Sequence, residues 1–79
     1  MLWFYQRDKE LITVETRFDE ATGEYLLVMQ TADGETKIER FKDLRAFENR
    51  LVREEKKLAS ERWKQVGPPI FLRDGWPRA

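Results

Sequence analysis

Phe18-Asp19-Glu20-Ala21-Thr22-Gly23-Glu24-Tyr25-Leu26-Leu27-Val28-Met29-Gln30-Thr31-Ala32-Asp33-Gly34-Glu35 reads as one strand held between two turns, and it decides the fold. Gly23 suits the left-handed position of a three-residue hairpin loop, Ala21-Thr22-Gly23. Asp33-Gly34 is the strongest short hairpin signal in the chain. A strand over residues 24–31 therefore has an antiparallel neighbour on each side. Upstream, Ile12, Val14, Thr16 and Phe18 alternate with Leu11, Thr13, Glu15 and Arg17, the period of a strand rich in β-branched residues. Downstream, residues 36–41 form the third strand. With those loops, Phe18 is expected opposite Leu26, Thr16 opposite Val28, Leu26 opposite Phe41 and Met29 opposite Ile38. Residues 2–6 add a fourth strand through a turn at Asp8-Lys9, placing Trp3 beside Val14 and Tyr5 beside Ile12.

This register gathers Trp3, Tyr5, Ile12, Val14, Phe18, Leu26, Val28 and Phe41 on one face, which needs a cover. Asp43 can cap a helix starting at Leu44, because its side chain can accept from the free amides of the first turn. The helical pattern continues to about Gln65, before Gly67-Pro68-Pro69 stops it. At about 100° per residue, Leu44, Phe47, Leu51 and Leu58 fall in one stripe with Val52, Ala59 and Trp63 beside it. The expected fold is thus α+β: an antiparallel meander of three to four strands, one long helix on one face, and an extended proline-containing tail. The meander and helix make one domain over residues 1–66, and residues 67–79 form a tail packed on it.

Composition excludes more than it identifies. The chain has 79 residues, 15 Lys+Arg against 15 Asp+Glu, and neither His nor Cys. Thiol nucleophiles, thiolate ligands, disulfides and the usual imidazole base are all missing. Ser60 is the only serine and has no His partner, the four glycines are scattered, and acid pairs such as Glu54-Glu55 are what 15 acids produce by chance. A non-enzymatic protein without cofactor or metal is expected. The longest apolar run, residues 25–29, is far short of the roughly 20 residues of a membrane helix. The Leu2-Trp3-Phe4-Tyr5 opening, followed at once by charges, does not read as a secretory signal. A cytoplasmic location without membrane attachment is the expectation.

Two surfaces stand out as candidate sites. The first is the sheet face away from the helix, where this register places Phe4, Tyr25, Leu27, Met29 and Ile38 with Leu2 and Leu11. Small monomers seldom expose so much apolar surface in one patch, so the chain's own tail with Phe71 and Trp76, a second copy or a different protein partner is expected to cover it. The apolar tail segment 70–76 begins beside the helix and is expected to pack along a sheet edge, leaving part of that face free. The second surface is a basic stripe, Arg50, Arg53, Lys57 and Lys64, within about 60° on the helix, which could bind phosphates. Residues 1–39 carry four basic and nine acidic side chains, net −5, and residues 40–79 carry net +5. The acidic hairpins therefore oppose a polyanion on the sheet.

The string Phe18-Asp19-Glu20-Ala21-Thr22-Gly23-Glu24-Tyr25, with Asp33-Gly34, Glu39-Arg40-Phe41 and Trp63 before Gly67-Pro68-Pro69, resembles a group of short uncharacterised bacterial proteins. The resemblance covers most of the chain and implies a bacterial cytoplasmic protein with no assigned activity or functional residue. A four-stranded sheet with a following helix also resembles, in topology, the Whirly-type single-stranded nucleic acid binders. Phe4, Tyr25, Arg17 and Arg40 would be the matching residues. The expected function is thus a protein-protein interaction or self-association module. The alternative is a single-stranded nucleic-acid-binding or regulatory protein using the helix stripe or the open sheet face.

Overall fold

The computed structural model describes residues 1–70. Four strands follow one another as hairpins: β1 (Leu2–Arg7), β2 (Glu10–Asp19), β3 (Glu24–Gln30) and β4 (Thr36–Phe41). Helix α1 (Leu44–Ser60) comes next, and a two-residue β5 (Lys64–Gln65) closes the sheet in the order β4-β3-β2-β1-β5. Every pairing is antiparallel. The α+β meander with one helix is as expected. The β1–β2 pairing also follows expectation, with Trp3 opposite Val14 and Tyr5 opposite Ile12 across the Asp8-Lys9 turn.

The register of β3 is displaced by one residue. The first loop has four residues, not three: Asp19 pairs with Glu24, its side chain accepts from the Ala21 N–H, and its carbonyl accepts from the Gly23 N–H. The second loop has three, Ala32-Asp33-Gly34, closed by the Thr31 N–H to the Glu35 carbonyl and by the Gly34 N–H to the Thr31 carbonyl. Gly34, at φ +89°, takes the left-handed position there. The two shifts cancel across the sheet, so β2 and β4 keep their expected relation and β3 alone is turned over. Phe18 faces Tyr25, Thr16 faces Leu27, Val14 faces Met29, Tyr25 faces Phe41 and Val28 faces Ile38.

The core consequently contains Leu27, not Leu26 or Val28. Val14, Leu27, Phe47 and Leu58 are buried, and Trp3, Tyr5, Ile12, Tyr25, Met29, Phe41, Leu51 and Trp63 pack around them. Phe47 is stacked on Tyr25 at 5.2 Å and tilted against Phe41 at 5.8 Å, which seats the helix on β3 and β4. Asp43 caps α1 as expected, accepting from the Arg45 N–H. Leu44 and Val52 are exposed, because the docking face runs through Phe47, Leu51, Glu54 and Leu58.

The helix ends at Ser60, short of the expected Gln65. The Trp63 N–H donates to the Leu58 carbonyl and the Arg62 N–H to the Ala59 carbonyl, with Arg62 at φ +67°. This is a Schellman ending with a side chain where glycine is the usual occupant. The reversal lets Lys64 and Gln65 pair with Gln6 and Tyr5, while the Val66 N–H donates to Phe4 O and Ile70 exchanges both main-chain bonds with Leu2. Arg7 fastens the return: its guanidinium lies 4.4 Å from the Trp63 ring centre and donates to the Glu61 carbonyl at 3.2 Å. Arg62→Gly is expected to stabilise the domain by about 0.5–1 kcal/mol, since glycine tolerates that conformation without a Cβ. A urea titration that moves the midpoint upward with unchanged slope would show it.

Ile70 meets the edge of β1; the remainder of the expected tail docking, with Phe71 and Trp76, lies outside the described residues.

Candidate functional site

Side chains alternate across the pleat, so the four cross-strand registers assign every strand residue to one of two faces. The face opposite α1 carries Leu2, Phe4 and Leu11 from β1 and β2, Leu26 and Val28 from β3, and Ile38 from β4. Val66 and Ile70, opposite Phe4 and Leu2, continue it beyond β1. Ile38 is 59% exposed, and Leu11, Val66 and Ile70 are also exposed. One row, Ile38, Val28, Glu15 and Leu2, crosses the sheet from β4 to β1.

Three residues expected on this face lie on the other. Tyr25, Leu27 and Met29 point toward α1: Leu27 is 0% exposed and Tyr25 stacks on Phe47. The turned-over β3 supplies Leu26 and Val28 in their place, while Phe4 and Ile38 are on the open face as expected. An apolar run cannot reveal which of its two halves faces in. Only the turn lengths could have identified Leu26 and Val28.

The charges on the open face are paired among themselves. Arg17 Nε bonds Glu15 Oε2 at 2.8 Å, and Glu15 holds the guanidinium above its ordinary pKa. Arg40 lies 3.5 Å from Glu24 and 3.7 Å from Asp19. The arginines that would meet phosphates on this surface thus each have a carboxylate beside them.

The basic stripe does not assemble as expected. Arg50 points down to the sheet, where Nη1 bonds Glu54 at 2.8 Å and Nη2 bonds Glu39 at 2.9 Å; the Glu54 contact leads the forces that raise its pKa. Lys64 has left the helix for β5. Arg53 and Lys57 remain exposed on α1.

Glu54 is the buried acid of the helix, 8% exposed, and no buried side-chain polar atom among the described residues lacks a partner. The Arg50 bridge satisfies it where α1 crosses the sheet. A cavity of about 210 Å³ flanks that crossing on the β1 side, lined by Trp3, Tyr5, Leu51, Val52, Glu54 and Glu55. Burial, then the nearby Glu55 and Glu54 carboxylates, raises the Tyr5 pKa and keeps the phenol protonated. Ser60 Oγ donates to the Lys57 carbonyl at 2.7 Å. Among the described residues no acidic group is arranged to hold a metal ion, and no helix is long and apolar enough to cross a membrane.

The fold and its surface define a small meander-plus-helix domain with one covered and one open sheet face. Compared with protein-family models, curated proteins and solved structures, the chain matches none.

Proposed function

We propose that the protein is a non-enzymatic self-association module of the cytoplasm, whose working surface is the open sheet face with the β4 border beside it. The occupant is a second copy of the chain. The observation that carries this reading is the apolar patch opposite α1, in which Ile38, Leu11, Val66 and Ile70 are exposed and Leu2, Phe4, Leu26 and Val28 only half-covered. Such a patch is costly to leave against water in a domain this small, and burial returns roughly 25 cal/mol per Å². The carboxylates beside Arg17 and Arg40 support a protein occupant over a polyanion, because their charge offsets the field a phosphate would meet on this face.

Light scattering after size exclusion, over a range of concentrations, tests the reading. The expected mass rises above the 9.5 kDa of one chain toward twice that value. A mass that stays at one chain, with salt-sensitive binding to a labelled single-stranded oligonucleotide, would replace this reading with nucleic-acid recognition. A mass that stays at one chain without such binding would leave a different protein as the occupant.

A further inference from the structure

The outer border of β4 points to how two copies meet; the inference rests on the self-association reading. The Thr31–Glu35 bond starts an alternation in which Lys37, Glu39 and Phe41 exchange main-chain bonds with β3. The N–H and carbonyl groups of Thr36, Ile38 and Arg40 then point outward, and no described strand pairs with them. Helix α1 begins beside this border and runs away from it. It leaves β4 after Phe41 and runs toward β1, where Glu61 and Trp63 meet Arg7.

We infer that β4 pairs antiparallel with β4 of a second copy, about a two-fold axis at Ile38 normal to the sheet. A continuous sheet requires opposed residues to lie on the same face, which limits the axis to a residue position. Centring on Lys37 opposes two ammonium groups, on Glu39 two carboxylates, and on Arg40 two guanidiniums, while centring on Thr36 pairs Glu35 with Lys37 but runs the contact into the turn before β4, with Ile38 opposite Gly34. Centring on Ile38 opposes Ile38 to Ile38, Thr36 to Arg40, and Lys37 to Glu39 twice. It also aligns the outward N–H and carbonyl groups of Thr36, Ile38 and Arg40 with those of the partner strand. Alternating charge normally guards a sheet border against unrelated strands. Here it complements itself under two-fold symmetry. Lys37 is exposed and makes no side-chain hydrogen bond or ion pair with the described residues, so it can reach across to the partner strand. Glu39 has its other contact, Arg50, within its own chain. The pairing sets Ile38, the most exposed large apolar side chain of the described residues, against its counterpart at the seam, and it leaves the rest of the open face, Leu2, Phe4 and Leu11 included, uncovered in the pair.

Lys37→Glu and Glu39→Lys test the register by charge. Each variant alone opposes like charges twice and is expected to run as a monomer. An equimolar mixture opposes Glu to Lys at both positions and is expected to recover the dimer. Because Glu39 also holds Arg50, Ile38→Cys provides an independent check that leaves this pair intact. Opposed Cα atoms of a hydrogen-bonded antiparallel pair lie about 5.5 Å apart, within disulfide reach. The chain has no other cysteine, so oxidation should give a single covalent dimer. A wild-type dimer whose charge variants remain dimeric, with Val28→Cys cross-linking in place of Ile38→Cys, would overturn the border register while leaving self-association standing. A wild-type chain that stays monomeric would overturn both.

Discussion

Leu27→Asp is expected to leave the chain without a cooperative unfolding transition, whereas Val28→Asp, one residue away, is expected to fold. Leu27 is 0% exposed at the centre of the cluster with Val14, Phe47 and Leu58, where a carboxylate finds neither water nor a cation. Burying a lone charge and losing the leucine packing together cost several kcal/mol. That is comparable to the roughly 5 kcal/mol at the lower end of domain stabilities. Val28 lies on the other side of the sheet beside Ile38, half-covered, where an aspartate can hydrate. Far-UV circular dichroism through a urea titration distinguishes the two variants. The reverse outcome would turn β3 back over and move the core to Leu26 and Val28.

The second large effect belongs to Phe47→Ala, for which a loss of about 3–5 kcal/mol is expected. Phe47 is 2% exposed and touches the rings of Tyr25 and Phe41, so its removal empties the contact between α1 and the β3–β4 half of the sheet. Leu44→Ala, one turn earlier, should cost less than about 0.5 kcal/mol, because Leu44 is 45% exposed. Urea midpoints measured with a common slope compare the two. Equal losses would mean that the helix is rotated so that Leu44 and Phe47 share the contact with the sheet.

Much of this architecture was legible in the residues because local signals agreed with the global fold. Asp33-Gly34 and Gly23 marked the hairpins, Asp43 marked the helix start, and the Ile12-to-Phe18 alternation marked an inward face. The failure at β3 has a definite cause. Residues 25–29 are all apolar, so no alternation selects a face, and the register passes entirely to the turns. One added residue in each loop then exchanges Leu26 and Val28 for Tyr25, Leu27 and Met29. The open face was legible as a surface, and three of its seven expected apolar residues were not. The helix end was hidden for another reason: Arg62 sits at φ +67°, a conformation that its side chain does not advertise. With the helix shortened, Lys64 departs the basic stripe, and the Arg50 pairings with Glu39 and Glu54 depend on a crossing no spacing rule supplies.

The return of the chain along β1 sets the valency of the sheet. Leu2, Phe4, Tyr5 and Gln6 already have neighbours in Ile70, Val66, Gln65 and Lys64, and the intervening Gly67-Pro68-Pro69 offers no amide hydrogen at either proline. A strand arriving there finds a short, interrupted template, while β4 at the far border offers a continuous one of six residues. A body with two equivalent borders can polymerise without limit; one with a single usable border is exhausted by its first encounter. On the proposed pairing, and with the far border occupied among the described residues, sheet extension would terminate at a pair, so that an exposed strand that could otherwise seed fibres would count to two.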